Sequence, residues 1–218
     1  MFEDFDLAAR VMIVIPLLLS LTVHEWAHAW SANRLGDDTA RMQGRLTLNP
    51  IAHIDPIGTL VLPLLGIPFG WAKPVPVNPT RFRPSVNMKT GMIITAAAGP
   101  LSNLVLAVLS AVTFGLVARF APSSLGAGSG LGLATLLTTL IVINVTLAIF
   151  NMIPIPPLDG SRVLDGLVPH GWRPQWESIV RLSPILLIVV VVMGQRLIAG
   201  PAGYVVNWLS RLIVAMQA

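Results

Sequence analysis

The 218-residue chain is 54% hydrophobic and only 11% charged, with a mean hydropathy of +0.76, which excludes a soluble domain carrying one greasy helix and points to an integral membrane protein. Its formal charge of +4 is not gathered into a basic run interleaved with aromatics, so nucleic acid is not an expected partner. There is no cysteine, which excludes disulfides, thiolate nucleophiles and Cys-ligated zinc; any metal must be held by His, Asp or Glu.

The first predicted element runs from about Leu7 to Asn33, apolar and long enough to cross a bilayer, with a kink expected at Pro16. The acidic start MFEDFDLAAR has no small-residue cleavage site and does not read as a removable signal peptide. Toward the far end of the span stands HEWAH, His24 to His28. On a helix this step returns to the same face, where two imidazole nitrogens can converge on one metal ion. Glu25 is rotated from the pair by about 100°, placed to reach a metal-bound water without being a ligand. Two ordinary core histidines would need no glutamate between them, and such groups in a membrane helix are expensive without a partner or a function. Ser20, His24, His28 and Ser31 form a polar stripe, while Trp26 and Trp30 lie on another face, as interfacial anchors do.

The connection from Arg34 to Lys89 holds most of the charge. Within it, Ile57 to Phe69 is apolar but broken by Gly58, Pro63, Gly66 and Pro68, which predicts a re-entrant or interfacial piece rather than a span. GWAKPVPVNP, Gly70 to Pro79, alternates valine with proline and suits an edge strand or an extended loop. A second span covers Gly91 to about Phe120; Ala96, Ala97, Ala98 and Gly99 permit close helix contact, and Asn103 is placed to bond across it. A glycine- and serine-rich turn over Pro122 to Gly132 leads to a third span, Leu133 to Phe150. Asn144 and Asn151 share one face of that helix. The prolines of NMIPIPPLDG then impose an extended path, with Asp159 at or near the N-cap of a short helix. Ile179 to Leu197 makes a fourth span, and Tyr204 to Met216 is a marginal fifth or an interfacial helix.

The expected fold is an all-α polytopic membrane protein of one domain over residues 1–218. Its spans are 7–33, 91–120, 133–150, 179–197 and marginally 203–216, with a re-entrant or edge-strand segment over 57–79. Arginine and lysine crowd the loops after the first and third spans, which predicts the N-terminus outside and HEWAH near the cytoplasmic face.

A catalytic zinc site needs a third protein ligand and an open position for water. Asp159 is the strongest candidate, aimed from the end of a span by a proline-rich extension, although it could simply cap the next helix. His53 and His170 lie in polar loops, where solvated or hydrogen-bonded histidine is the commoner outcome, and Asp55 before Pro56 suits a turn.

HEWAH, NPIAHIDPIGT at Asn49 to Thr59, GWAKPVPV, AAAGPLSN and NMIPIPPLDG together resemble the site-2 protease family of intramembrane zinc metalloproteases, over residues 20 to 165. The resemblance implies one zinc ion per chain held by His24, His28 and Asp159. It also implies Glu25 as catalytic acid and base, Asn151 facing the reacting carbonyl, and substrates that are single-span proteins of a bacterial or archaeal cell membrane. The chain looks like a compact form, with no insertion long enough for a PDZ domain and no C-terminal nucleotide-sensing domain. The rival reading is a non-catalytic membrane zinc-binding protein, either a helix-binding adaptor or a transporter. Transport should line a path across the whole membrane with polar residues, and the last two apolar segments are nearly bare of them.

Overall fold

The structure, a computed structural model, describes residues 7–66, 70–126 and 132–217. The acidic first six residues, the end of the 57–69 segment and the middle of the 122–132 turn lie outside the described residues. Eight α-helices are labelled in chain order: α1 (Leu7–Leu35), α2 (Thr39–Met42), α3 (Leu62–Leu64), α4 (Met88–Phe120), α5 (Leu133–Asn151), α6 (Asp159–Leu167), α7 (Arg173–Arg181) and α8 (Ser183–Gln217). Helices in α1, α4, α5 and α8 are long and apolar enough to cross a membrane. The segments 170–181 and 183–193, bent by 64°, would make up a fifth span if counted as one. The chain is an integral membrane protein.

α4 is the central helix, packed against α1, α5, α6 and α8. Lipid offers no hydrophobic driving force between helices, so they associate through close packing and interhelical hydrogen bonds. Small side chains make that approach possible: Ala107 and Ala111 are fully buried where α4 meets Ile141 and Val145 of α5 and Ile198, Ala202 and Leu209 of α8. Large apolar side chains such as Leu101, Val105 and Val192 face outward instead. α1 runs on through Pro16, which is buried and whose carbonyl accepts the Ser20 hydroxyl at 2.6 Å. Trp26 stacks on Trp30 at 5.9 Å between ring centroids, and the Arg34 guanidinium lies over Trp30.

Between α1 and α4 the sequence repeats Asx-Pro, and each copy starts a tight turn. Asn49, Asp55 and Asn78 accept backbone N–H groups two residues on, and Asn87 does the same ahead of α4. Asp55 also accepts from Gly58 and opens a π-helical turn, Pro56–Val61, that continues into α3 with Ile57, Val61 and Leu65 exposed.

Residues 70–78 then form an extended strap. Among the described residues there is no β-strand, so the loop alternative holds here rather than the edge strand. Pro74 and Pro76 remove ladder donors. The remaining groups go elsewhere: Trp71 N–H to Gly58 O, Lys73 N–H to His53 O, and Asn78 N–H to Asp37. At the C-terminal end, residues 179–197 and 203–216 do not form two separate helices. The first begins in α7, and after the bend at Leu182 both belong to α8, which continues through Pro201. At about 1.5 Å per residue α8 exceeds a bilayer's hydrocarbon thickness of about 30 Å.

Candidate metal centre

His24 and His28 lie one turn apart on α1, both buried, with Nε2 atoms 3.0 Å apart. Asp159 reaches them from α6. The turns after α5 fold the chain back so tightly that a Cβ on Gly160 would lie 2.2 Å from the Met152 carbonyl oxygen. The Asp159 carboxylate makes no cap hydrogen bond, since the N-cap is Leu158, so the capping alternative does not hold. Its Oδ2 stands 3.2 Å from His24 Nε2 and 3.3 Å from His28 Nε2.

The tautomers follow from the surrounding bonds. His28 Nδ1 lies 2.7 Å from the Thr95 carbonyl, which can only accept, so Nδ1 carries a proton and in the neutral ring Nε2 presents its lone pair. For His24 the deduction starts on α5. Asn144 Nδ2 donates to the Leu140 carbonyl and to Ser20 Oγ, which identifies Asn144 Oδ1 as the acceptor of Asn103 Nδ2 at 2.7 Å. Asn103 Oδ1 therefore faces His24 Nδ1 at 2.7 Å and takes its proton. A chain of hydrogen bonds through α1, α4 and α5 thus leaves His24 Nε2 bare as well.

With both rings neutral, three lone-pair atoms converge with no proton among them, and Asp159 Oδ2 is buried without a hydrogen-bond donor. A positive charge held between them, a metal ion or a proton, makes that arrangement favourable. His24, His28 and Asp159 form the triad of possible ligands found among the described residues. Tetrahedral zinc with bonds of about 2.0–2.1 Å separates its ligand atoms by about 3.3–3.4 Å, close to the spacing here.

α4 is seated against this centre by a missing side chain. A Cβ on Gly99 would lie 2.4 Å from His28 Nε2 and 2.6 Å from His24 Cε1, so only glycine lets α4 approach. Glu25 is nearly buried on the strap side of α1, and its Oε2 accepts the Val75 N–H at 2.8 Å.

A family model, Peptidase family M50, matches residues 115–192. Over 207 residues the chain is 39% identical to "Putative zinc metalloprotease YwhC" of Bacillus subtilis, covering 95% of this chain and 89% of that one. Proteins with the printed name "Putative zinc metalloprotease Rip2" are 34% identical in Mycolicibacterium smegmatis and 31% identical in Mycobacterium tuberculosis, each match covering 84% of this chain and 66% of the relative. The chain belongs to peptidase family M50, the site-2 protease family. No solved structure matches it.

Zinc is therefore the metal of this M50 protein, and His24, His28 and Asp159 are the residues that fit it. Asn151, His53 and His170 make no hydrogen bond to the triad. Asn151, the last residue of α5, donates its amide to the Leu147 carbonyl and makes no hydrogen bond to the triad or to Glu25. His53 is buried with Nε2 on the Thr47 carbonyl, and His170 opens an exposed turn. Asn103 forms the cross-helix bond expected of it, but its partner being His24, and the involvement of Asn144 and Ser20, lay beyond sequence reasoning. The signal available was three small polar residues on apolar helices. Nothing in the pattern GWAKPVPV linked Val75 to Glu25.

Proposed function

We propose that this M50 metalloprotease hydrolyses peptide bonds within or next to the transmembrane segments of single-span membrane proteins, at a centre toward the cytoplasmic side of a cell membrane. One observation carries the reading: a buried triad of metal ligands, with a glutamate beside it, sits among helices long and apolar enough to cross a membrane. The concentration of arginine and lysine in the loops after the first and third spans supports the orientation.

When bound, zinc supplies Lewis-acid chemistry, acidifying a water and polarising the carbonyl under attack. Glu25 takes the proton from that water through its second oxygen and returns it to the leaving amine. Asn151 spends one amide hydrogen on Leu147, and the other is free to meet the developing oxyanion. A single donor of this kind is typically worth about 3 kcal/mol. Asn103 and Thr95 hold both imidazoles in the tautomer that presents Nε2, which keeps the ligands preorganised.

A transmembrane substrate hides its carbonyls in helical hydrogen bonds and must unwind locally. The strap offers an extended chain for it to pair with. The strap N–H groups of Trp71, Lys73, Val75 and Asn78 are already taken, residues 74 and 76 are prolines, and the Trp71 and Lys73 carbonyls accept from Thr59 and Arg45, so a substrate would pair chiefly at Ala72 and Val77.

Cleavage of a single-span reporter in liposomes by wild type and Glu25→Gln tests the function. Loss of cleavage with zinc retained is the expected result. Unchanged processing would remove the protease reading and leave an adaptor or transporter, neither of which needs Glu25.

A further inference from the structure

The strap is tied to the body of the protein at points other than Glu25. Trp71 is bonded to Gly58 and Thr59, Lys73 to His53 and Arg45, and Asn78 to Asp37. The Val75 side chain is buried against Ala29 and Ala40, with Leu46 packed alongside. Its position is thus set without any help from Glu25. Yet between two prolines that have no N–H, the one backbone donor of residues 74–76 points at Glu25 Oε2, 2.8 Å away in a buried contact. Glu25 makes no other hydrogen bond among the described residues. A glutamate has three side-chain torsions, and one without a fixed partner would sample orientations in which neither oxygen faces the metal centre.

We propose that Val75 is the positioning residue of the catalytic carboxylate: its backbone N–H anchors Oε2 and so aims the other oxygen at the attacking water. This rests on the reading of Glu25 as the acid and base. It also makes the strap a link between substrate and chemistry, because an extended peptide that docks along the strap shifts or steadies the group that holds Glu25. The prolines on either side suit that role. They stiffen the backbone around Val75 and leave its N–H with no competing neighbour.

The test removes the N–H while keeping the side chain, by exchanging the amide between Pro74 and Val75 for an ester in the full-length protein; the weaker acceptance of the ester carbonyl touches only the long Arg45–Pro74 contact. Zinc content, kcat and KM are then measured on a single-span reporter in liposomes. A charge-assisted hydrogen bond that acts only in orientation predicts a kcat lower by about 10- to 100-fold. Zinc stoichiometry should stay at the wild-type level and KM should change by less than about threefold. Val75→Pro, which also lacks the N–H, should follow the ester, and Val75→Ile, which keeps it, should restore kcat. A normal kcat in the ester, with Glu25→Gln inactive, overturns the positioning role and leaves the protease reading standing. Loss of zinc from the ester overturns it too, because the N–H would then be holding the centre together rather than aiming the carboxylate. Full cleavage by Glu25→Gln removes both.

Discussion

Adding one methyl group at Gly99 should separate the metal centre from the fold around it. The Cβ of Gly99→Ala would fall 2.4 Å from His28 Nε2 and 2.6 Å from both His24 Cε1 and His28 Cε1. Ordinary contact begins near 3.4 Å, so α4 or the imidazoles must give way by about 1 Å. Overpacking typically costs about 1–3 kcal/mol, while alanine gains about 1 kcal/mol over glycine in a helix, so the net change in stability should be no more than about 2 kcal/mol. A metal bond tolerates only about 0.2 Å, and two ligands are displaced together, so zinc affinity should fall by more than about 100-fold. Chelator competition on the purified protein measures the affinity, and thermal unfolding in detergent measures the stability. Gly115→Ala is the matched control, because its Cβ meets the flexible Met216 side chain at 3.0 Å and should leave zinc binding intact. A Gly99→Ala protein that holds zinc within about threefold of wild type and still cleaves the reporter would refute the packing argument.

Other consequences can be measured in the same way. Asn103→Leu strands both the His24 Nδ1 proton and the Asn144 carbonyl oxygen, and should lower zinc affinity by about 10- to 100-fold in a chelator titration. Asn144→Leu breaks the same chain one step farther from the metal and should have a smaller effect; an equal loss would mean that the chain acts by holding the helices together. Asp159→Ala should purify without zinc, and full occupancy would move the third ligand elsewhere. Asp37→Ala removes the fully buried acceptor of both Thr39 and Asn78. It should lower stability in a detergent melt by about 1–3 kcal/mol and expose the strap to proteolysis.

HEWAH was readable because helix geometry is local. A four-residue step defines a face whatever surrounds it, and membrane burial makes the residue types informative. The spans were readable for a similar reason, since hydropathy over some twenty residues depends on nothing beyond the segment. The C-terminal helices were less so. A bend at Leu182 and continuity through Pro201 depend on what packs alongside, and composition could not choose between two short helices and one long one. The strap was ambiguous because Val-Pro alternation satisfies an edge strand and an extended loop equally, and only its partners decide between them.

By itself the sequence determined that this is a helical membrane protein with a paired-histidine and glutamate motif in its first span, because both are properties of contiguous residues. Tertiary structure alone decided that Asp159 closes the triad instead of capping α6, that Asn103 and Asn144 set the His24 tautomer, and that Val75 holds Glu25. These are contacts between residues 41 to 135 positions apart, and no local propensity encodes which distant polar groups the packing of α1, α4, α5 and the strap will bring within bonding distance.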